Sequence, residues 1–144
     1  MKGMTEIVKT ISRLLAGLIF FYGIYIVVFG HLTPGGGFAG GVIISGAFIL
    51  LIVANGIDDK KIVRGEDKAG LVESSGILLF WTISIVGLCM GTYFFLNFLG
   101  KGKPLSIFSA GIIPLCNIAI GAEVSAGLCC ILIAFILVKK GDKK

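Results

Sequence analysis

The sequence predicts an all-α integral membrane protein with about four transmembrane helices, because it is apolar, sparsely charged and divided into helix-length apolar runs. Of its 144 residues, 56% are hydrophobic and only 15% are charged, and the mean hydropathy is +1.03. A soluble domain carries about 25% charged residues. Too little polar surface is present here to cover a soluble core. We therefore interpret residues 1–144 as a single membrane domain.

Four apolar runs are long enough to cross a hydrocarbon layer, which takes about 17–25 residues. They cover residues 11–29, 38–54, 76–99 and 118–138. Since lipid offers no hydrogen-bond partner to a non-helical backbone, each span is predicted to be a helix. The apolar stretch Leu105–Cys116 is interrupted by Pro114. It is expected to be interfacial or re-entrant, or else part of the last helix.

The basic residues predict the orientation of these spans. Three lie before or at the start of the first span, four lie in the polar segment Asn55–Gly70, and four lie in the C-terminal tail. Only Lys101 and Lys103 fall on the other side. Cytoplasmic loops carry the excess of Lys and Arg, so both termini are expected in the cytoplasm.

Composition also excludes several function classes. The net charge of +5 comes from short patches that flank apolar runs, which is typical of membrane proteins and not of nucleic-acid binding. The four cysteines show no zinc-ligand or redox spacing. They are Cys89, Cys116, Cys129 and Cys130. We expect free thiols, no metal site and no cofactor.

The most unusual stretch of the chain is "GHLTPGGGFAGG", from Gly30 to Gly41. Its glycines spell a dinucleotide-binding fingerprint, but that motif needs a preceding strand and a soluble βαβ unit. The apolar runs on both sides exclude nucleotide binding. Thr33 and Pro34 are predicted to form the N-cap and first turn of the second helix. The glycines serve either close helix packing or a water-filled path, and both interpretations stay open.

Small residues recur at helical spacing elsewhere, which is typical of helices that approach closely in membranes. The predicted faces are Gly37, Gly41 and Ser45, then Gly87 and Gly91, then Gly121 and Ser125. They are expected to pack within this chain or against other subunits.

His31 and Glu123 are the candidate ion-path residues. His31, the only histidine, is either a solvated loop residue or a group that exchanges protons or orients a partner's charge. Glu123 is placed at or within the external end of the last span, where an acid either serves a functional site or reaches the headgroups near Lys101 or Lys103. Glu73 is expected to cap the third span, while Asn97 and Asn117 are expected to hydrogen-bond between helices. No catalytic residue is predicted.

Two segments resemble a known family. The stretches "GHLTPGGGFAGGVIISGAFIL" and "IPLCNIAIGAEVSAGL" are similar to those of the MnhB-type subunit of multisubunit Na⁺/H⁺ antiporters, the Mrp family. The resemblance covers most of the chain. The matching motif positions are His31, Pro34, Gly35, Gly36, Gly37, Phe38, Gly40 and Gly41. Glu123 is not among them, so its candidacy depends on the cost of burying a charge.

This resemblance implies a non-catalytic subunit in the cell membrane of a prokaryote. Its partners would be the other membrane subunits of an antiporter that exchanges cytoplasmic Na⁺ for external H⁺. The same module occurs in membrane-bound hydrogenase-type respiratory complexes. One hypothesis is that the chain helps to form the ion-translocation path. The alternative is a structural spacer that links the antiporter and redox arms of such a complex.

Overall fold

The computed structural model describes residues 4–56, 59–91, 93–100, 102–103 and 109–141, with the backbone alone at 59–64 and 140–141. The described residues form four α-helices, which confirms the all-α prediction. They are α1 (Glu6–Phe29), α2 (Gly37–Asn55), α3 (Asp59–Met90) and α4 (Ile113–Gly141). Each contains a stretch long and apolar enough to cross a membrane, as predicted.

The helices do not pack in chain order. α4 lies between α2 and α3, and α1 packs mainly on α2 with a smaller contact to α4. No described residue of α3 contacts α2. α1 and α2 are antiparallel, since Met4 N–H donates to the Ala54 carbonyl at one end and Gly23 lies against Gly40 nearer the other. α4 runs parallel to α2 and antiparallel to α3, as the glycine contacts between these helices show, so the four helices alternate in direction. The N-terminal end of α1 and the C-terminal end of α4 therefore lie at the same end of the assembly.

Small side chains make up much of the interior of this helical layer, beside a few buried isoleucines such as Ile26 and Ile83. Ser45 and Ser84 are fully buried, and each hydroxyl donates to a carbonyl one turn earlier in its own helix. Ala47 of α2 and Ala119 of α4 are buried as well. Close packing of small residues is the usual way in which helices associate in lipid, where hydrophobic burial gives little driving force.

Large apolar side chains cover the outside. Phe21 on α1, Leu78 on α3 and Phe135 on α4 are each about 70% exposed. In water such surfaces would drive aggregation. Their distribution over all four helices fits contact with hydrocarbon or with helices of other subunits.

The third helix differs from its predicted span at both ends. It begins at Asp59, inside the polar segment Asn55–Gly70, and it ends at Met90 instead of Leu99. The charged residues at the start of α3 lower the hydropathy of that segment, but they are compatible with a helix, and this helix can extend beyond the lipid. At the other end, Phe95 has a positive φ of 59°, and Leu96 folds back against Gly87. The described apolar residues after Met90 therefore form a return loop.

The fourth helix begins earlier than predicted, at Ile113 instead of residue 118. Pro114 occupies the first turn, where its missing N–H costs no intrahelical hydrogen bond, so it starts the helix instead of breaking it. Residues 113–116 of the stretch expected to be re-entrant thus belong to α4, and residues 109–112 form a turn. Residues 104–108 lie outside the described part of the chain.

Candidate functional site

The connection between α1 and α2 continues directly from the last turn of α1. The backbone N–H groups of Leu32 and Thr33 both donate to the carbonyl of Phe29, at 2.8 and 3.0 Å. The Thr33 hydroxyl donates to the same oxygen at 3.1 Å. Thr33 therefore closes the end of α1. The expectation that Thr33 and Pro34 begin α2 is wrong, because Gly36 is the N-cap and the helix starts at Gly37.

Two glycines of the connection have backbone conformations that other residues rarely adopt. Gly35 has a φ of 151° and Gly36 a φ of 119°. A side chain at Gly35 would also meet Ile26 of α1 at 2.8 Å. These glycines turn the chain tightly from one helix into the next.

Three further glycines at the start of α2 lie in direct contact with neighbouring helices. A Cβ on Gly40 would lie 2.9 Å from the Gly23 carbonyl of α1. A Cβ on Gly41 would lie 2.8 Å from the Gly121 carbonyl of α4, and one on Gly37 would overlap the Asn117 carbonyl. The described neighbours occupy the space beside these glycines, which favours the packing interpretation of this segment.

The other predicted small-residue positions meet different neighbours. Gly121 lies against Val27 of α1, within this chain. Gly87 and Gly91 both face Leu96 of the return loop, so this pair packs against its own loop and not against another helix.

His31 lies in the connection, directly after the C-cap of α1 at Gly30, and it is half-buried. The two asparagines have distinct contacts. Asn117 on α4 accepts a hydrogen bond from the Gly37 backbone at 3.4 Å, which joins α4 to the start of α2 as expected of an interhelical contact. Asn97 instead holds the turn before α4, because its side-chain oxygen accepts from Ile112 N–H at 3.1 Å.

Glu123 lies deeper in its helix than the sequence indicated. It is about 15 Å along the axis from Ile113, at a rise of about 1.5 Å per residue. Its Cβ is 3.0 Å from the position that a Cβ on Gly76 of α3 would occupy, so the residue faces α3. It is half-buried. No hydrogen bond or ion pair joins its carboxylate to another described residue.

Glu73 is a second acid at the same helix pair, and the expectation that it caps the third span is wrong. It lies inside α3, well past the start of the candidate span at Gly65. One carboxylate oxygen is 3.3 Å from the position of a Cβ on Gly127 of α4. The Cys130 thiol lies near this carboxylate.

The two acids and two glycines form a reciprocal arrangement, which we call the Glu–Gly exchange. Glu73 of α3 lies opposite Gly127 of α4, and Glu123 of α4 lies opposite Gly76 of α3. Each acid uses the space that a side chain on the opposing residue would fill. The spacing Glu-x-x-Gly on α3 and Glu-x-x-x-Gly on α4 is visible in the sequence, but only the antiparallel packing shows that they match.

The structure does not bring the two predicted candidates together. His31 lies in the α1–α2 connection, whereas Glu123 lies on the α3-facing side of α4. Within the described ranges, no group of three His, Cys, Asp or Glu side chains could hold a metal ion. The cysteines are free thiols in this structure.

Comparison with protein families gives one match over most of the chain. Residues 7–130 match a family described as a domain related to the MnhB subunit of Na⁺/H⁺ antiporters. The chain belongs to the MnhB family. The matched MnhB region includes the Gly30–Gly41 segment and all four residues of the Glu–Gly exchange.

Individual relatives of this MnhB chain come from archaea and bacteria. An uncharacterized protein of Methanocaldococcus jannaschii is 36% identical over 135 residues, covering 86% of this chain and 49% of that protein. The mnhB2 protein of Staphylococcus aureus (strain Newman), which is named as an antiporter subunit, is 37% identical over 59 residues, covering 41% of this chain and 42% of its own length. The MnhB chain thus spans about half the length of these curated relatives.

A solved structure shares the fold of this MnhB chain. It is a chain of the membrane-bound sulfane sulfur reductase, an archaeal respiratory membrane complex, and it superposes with a TM-score of 0.64 at 31% identity. The match covers 89% of the MnhB chain and 56% of the other chain. The four-helix arrangement is therefore also found within a respiratory membrane complex.

Proposed function

We propose that the chain is a non-catalytic membrane subunit of a multisubunit cation (Na⁺)/H⁺ antiporter module and that it helps to form the ion-translocation path. Membership of the MnhB family supports the antiporter setting. The observation that carries the path is the Glu–Gly exchange, which holds Glu73 and Glu123 inside membrane-spanning helices.

The physical argument is the cost of a charge in lipid. An acid near the centre of a membrane helix costs about 2.5–3.5 kcal/mol on insertion scales, and such residues usually mark ion or proton pathways. Glu73 and Glu123 each face the opposing helix, about one turn apart, because Gly76 and Gly127 lack side chains. Two carboxylates at this spacing accept a proton or a cation in successive steps.

His31 is proposed to act at the boundary with water. An imidazole donates and accepts protons near neutral pH, and His31 lies in the connection at the end of α1. It would supply protons at that end of the path, or orient a charged group of a partner. Glu123 and His31 would then act at different depths.

The proposed setting is the plasma membrane of a prokaryote, with both termini in the cytoplasm and other membrane subunits as neighbours. The excess of Lys and Arg at the end that holds both termini supports this orientation. The large exposed apolar side chains of all four helices provide a surface for contact with partner helices or lipid.

A spacer is the second candidate function. The shared fold with a chain of an archaeal respiratory membrane complex favours it. In this role the chain would link the antiporter and redox arms of a hydrogenase-type complex. A spacer would need the close packing at the glycines but not the carboxylates of Glu73 and Glu123.

The experiment that separates these functions uses the complete complex purified from native membranes. Glu123→Gln and Glu73→Gln keep size and hydrogen-bonding capacity but remove the charge. We expect each variant to lower cation/H⁺ exchange in reconstituted vesicles at least about tenfold, with unchanged subunit composition. His31→Ala is expected to lower exchange to a smaller extent. Asp67→Asn, at an exposed acid of α3, is the matched control.

Unchanged exchange in both glutamate variants would contradict the path and favour the spacer. The isolated chain in vesicles is expected to show no exchange, and clear exchange by the chain alone would contradict its role as one subunit of a larger path.

A further inference from the structure

The start of α2 lacks a local cap. Its N-cap residue, Gly36, has no side chain, and no side-chain hydrogen bond arises from that position. The hydroxyl of Thr33 is used at the Phe29 carbonyl. The first N–H groups of a helix have no partner within the helix, and Gly37 is buried, so its N–H is shielded from water. An acceptor must therefore come from elsewhere in the structure.

Asn117 supplies that acceptor from α4. The Gly37 N–H donates to its side-chain oxygen at 3.4 Å. The Asn117 carbonyl also lies against Gly37, where a Cβ would otherwise stand. The side chain is half-buried, and its acceptor atom faces the first N–H of α2, which neither Gly36 nor Thr33 serves.

This contact joins the two segments that carry the candidate ion-path residues. Asn117 lies about 9 Å along α4 from Glu123, and Gly37 directly follows the connection that contains His31. One turn further along both helices, Gly41 of α2 fits against Gly121 and Val124 of α4, so the parallel helices α2 and α4 are in contact at two successive turns. The Asn117–Gly37 hydrogen bond fixes the first of these turns.

We propose that Asn117 is a positioning residue, whose side-chain amide caps α2 from α4 and so fixes the connection carrying His31 relative to the helix carrying Glu123. Its effect on transport rests on the proposed function, whereas its effect on the connection does not. Loss of the acceptor leaves the buried Gly37 amide unpaired, and the first turn of α2 then separates from α4.

The test uses the full chain in its native complex with two substitutions at one position. Asn117→Leu keeps the volume and removes the acceptor, while Asn117→Asp keeps the acceptor and places a carboxylate at a helix N-terminus, which is favourable. Ser125→Ala is the matched control, because the Ser125 hydroxyl bonds only within α4, to Ala122. Each is combined with Leu32→Cys, whose labelling by a membrane-impermeant maleimide reports on the connection.

We expect Asn117→Leu to speed labelling at position 32 and to slow exchange, each by roughly three- to tenfold, the equivalent of one lost hydrogen bond. Asn117→Asp and Ser125→Ala should leave both close to the parent. Labelling is normalised to the chain present in whole membranes, so a lower yield of Asn117→Leu does not remove the measurement.

Unchanged labelling in Asn117→Leu, or an equal effect of Asn117→Asp, would overturn the positioning role. If labelling rises as expected while Glu73→Gln and Glu123→Gln both leave exchange intact, then Asn117 positions the connection but the ion-path function is wrong. The two failures are thus distinguishable.

Discussion

Substitution of Gly41 tests whether the glycines of α2 serve packing, because the same helix contains a glycine in open space. A Cβ at Gly41 would lie 2.8 Å from the Gly121 carbonyl and 2.9 Å from the Val124 Cβ. Both atoms are fixed to the α4 backbone and cannot rotate away. A Cβ at Gly46 would meet nothing within 4 Å. Gly41→Ala and Gly46→Ala therefore differ only in what the new methyl group contacts.

The magnitude follows from two effects. Alanine improves helix propensity by about 0.8–1.0 kcal/mol over glycine, and this gain is the same at both positions and cancels in the comparison. Forcing a methyl group into a filled contact costs about 1–3 kcal/mol. We expect Gly41→Ala to be about 1–3 kcal/mol less stable than Gly46→Ala, since neither Gly121 nor Val124 can yield without moving α4.

Thermal unfolding of the purified chain in detergent measures this difference. For a chain of this size, the expected gap in Tm between the two variants is about 2–10 °C, with Gly46→Ala at or above the parent. A Gly41→Ala chain as stable as Gly46→Ala would refute the packing argument. It would instead favour a role of the glycine backbone in a water-filled path.

Two further predictions concern the α1 end and the orientation. Thr33→Val removes the hydrogen bond from the Thr33 hydroxyl to the Phe29 carbonyl and should lower the free energy of unfolding by about 0.5–1.5 kcal/mol. Thr10→Val is the control and should lower it less, because the Thr10 hydroxyl bonds to the Glu6 carbonyl at an exposed site of α1. Equal losses in thermal unfolding would argue against a special role for Thr33. Lys103→Cys should react with a membrane-impermeant maleimide added outside intact cells, and Met4→Cys only after permeabilisation; the reverse pattern would contradict cytoplasmic termini.

The number of helices and the first two spans were predictable because their signals are long and uninterrupted. Hydropathy identifies what lies in lipid, so it does not detect the charged first turns of α3, which are helical but polar. It also extends the third span to Leu99, because nothing in an apolar run reveals that Phe95 has a positive φ and turns the chain back.

The same difficulty affects the candidate site. A last span that starts at residue 118 puts Glu123 near its end, whereas α4 begins at Ile113 and carries the acid into its interior. Glu73 resembles a cap in the sequence because the apolar run begins three residues after it, at Gly76. The pairing of each acid with a glycine depends on how α3 and α4 align, and a single sequence does not specify that alignment.

The position of α4 between α2 and α3 has a consequence for how the protein is made. As the chain leaves the ribosome, α1 and α2 are available together and can pair at once through Gly23 and Gly40. α3 emerges next, but among the helices its described residues contact only α4. Until synthesis reaches Ile113, α3 lacks α4, which among the described helices is the one it contacts. Packing of α3 within this four-helix region therefore waits for α4, and during that interval the face of α3 that later contacts α4 is open to lipid or to another protein.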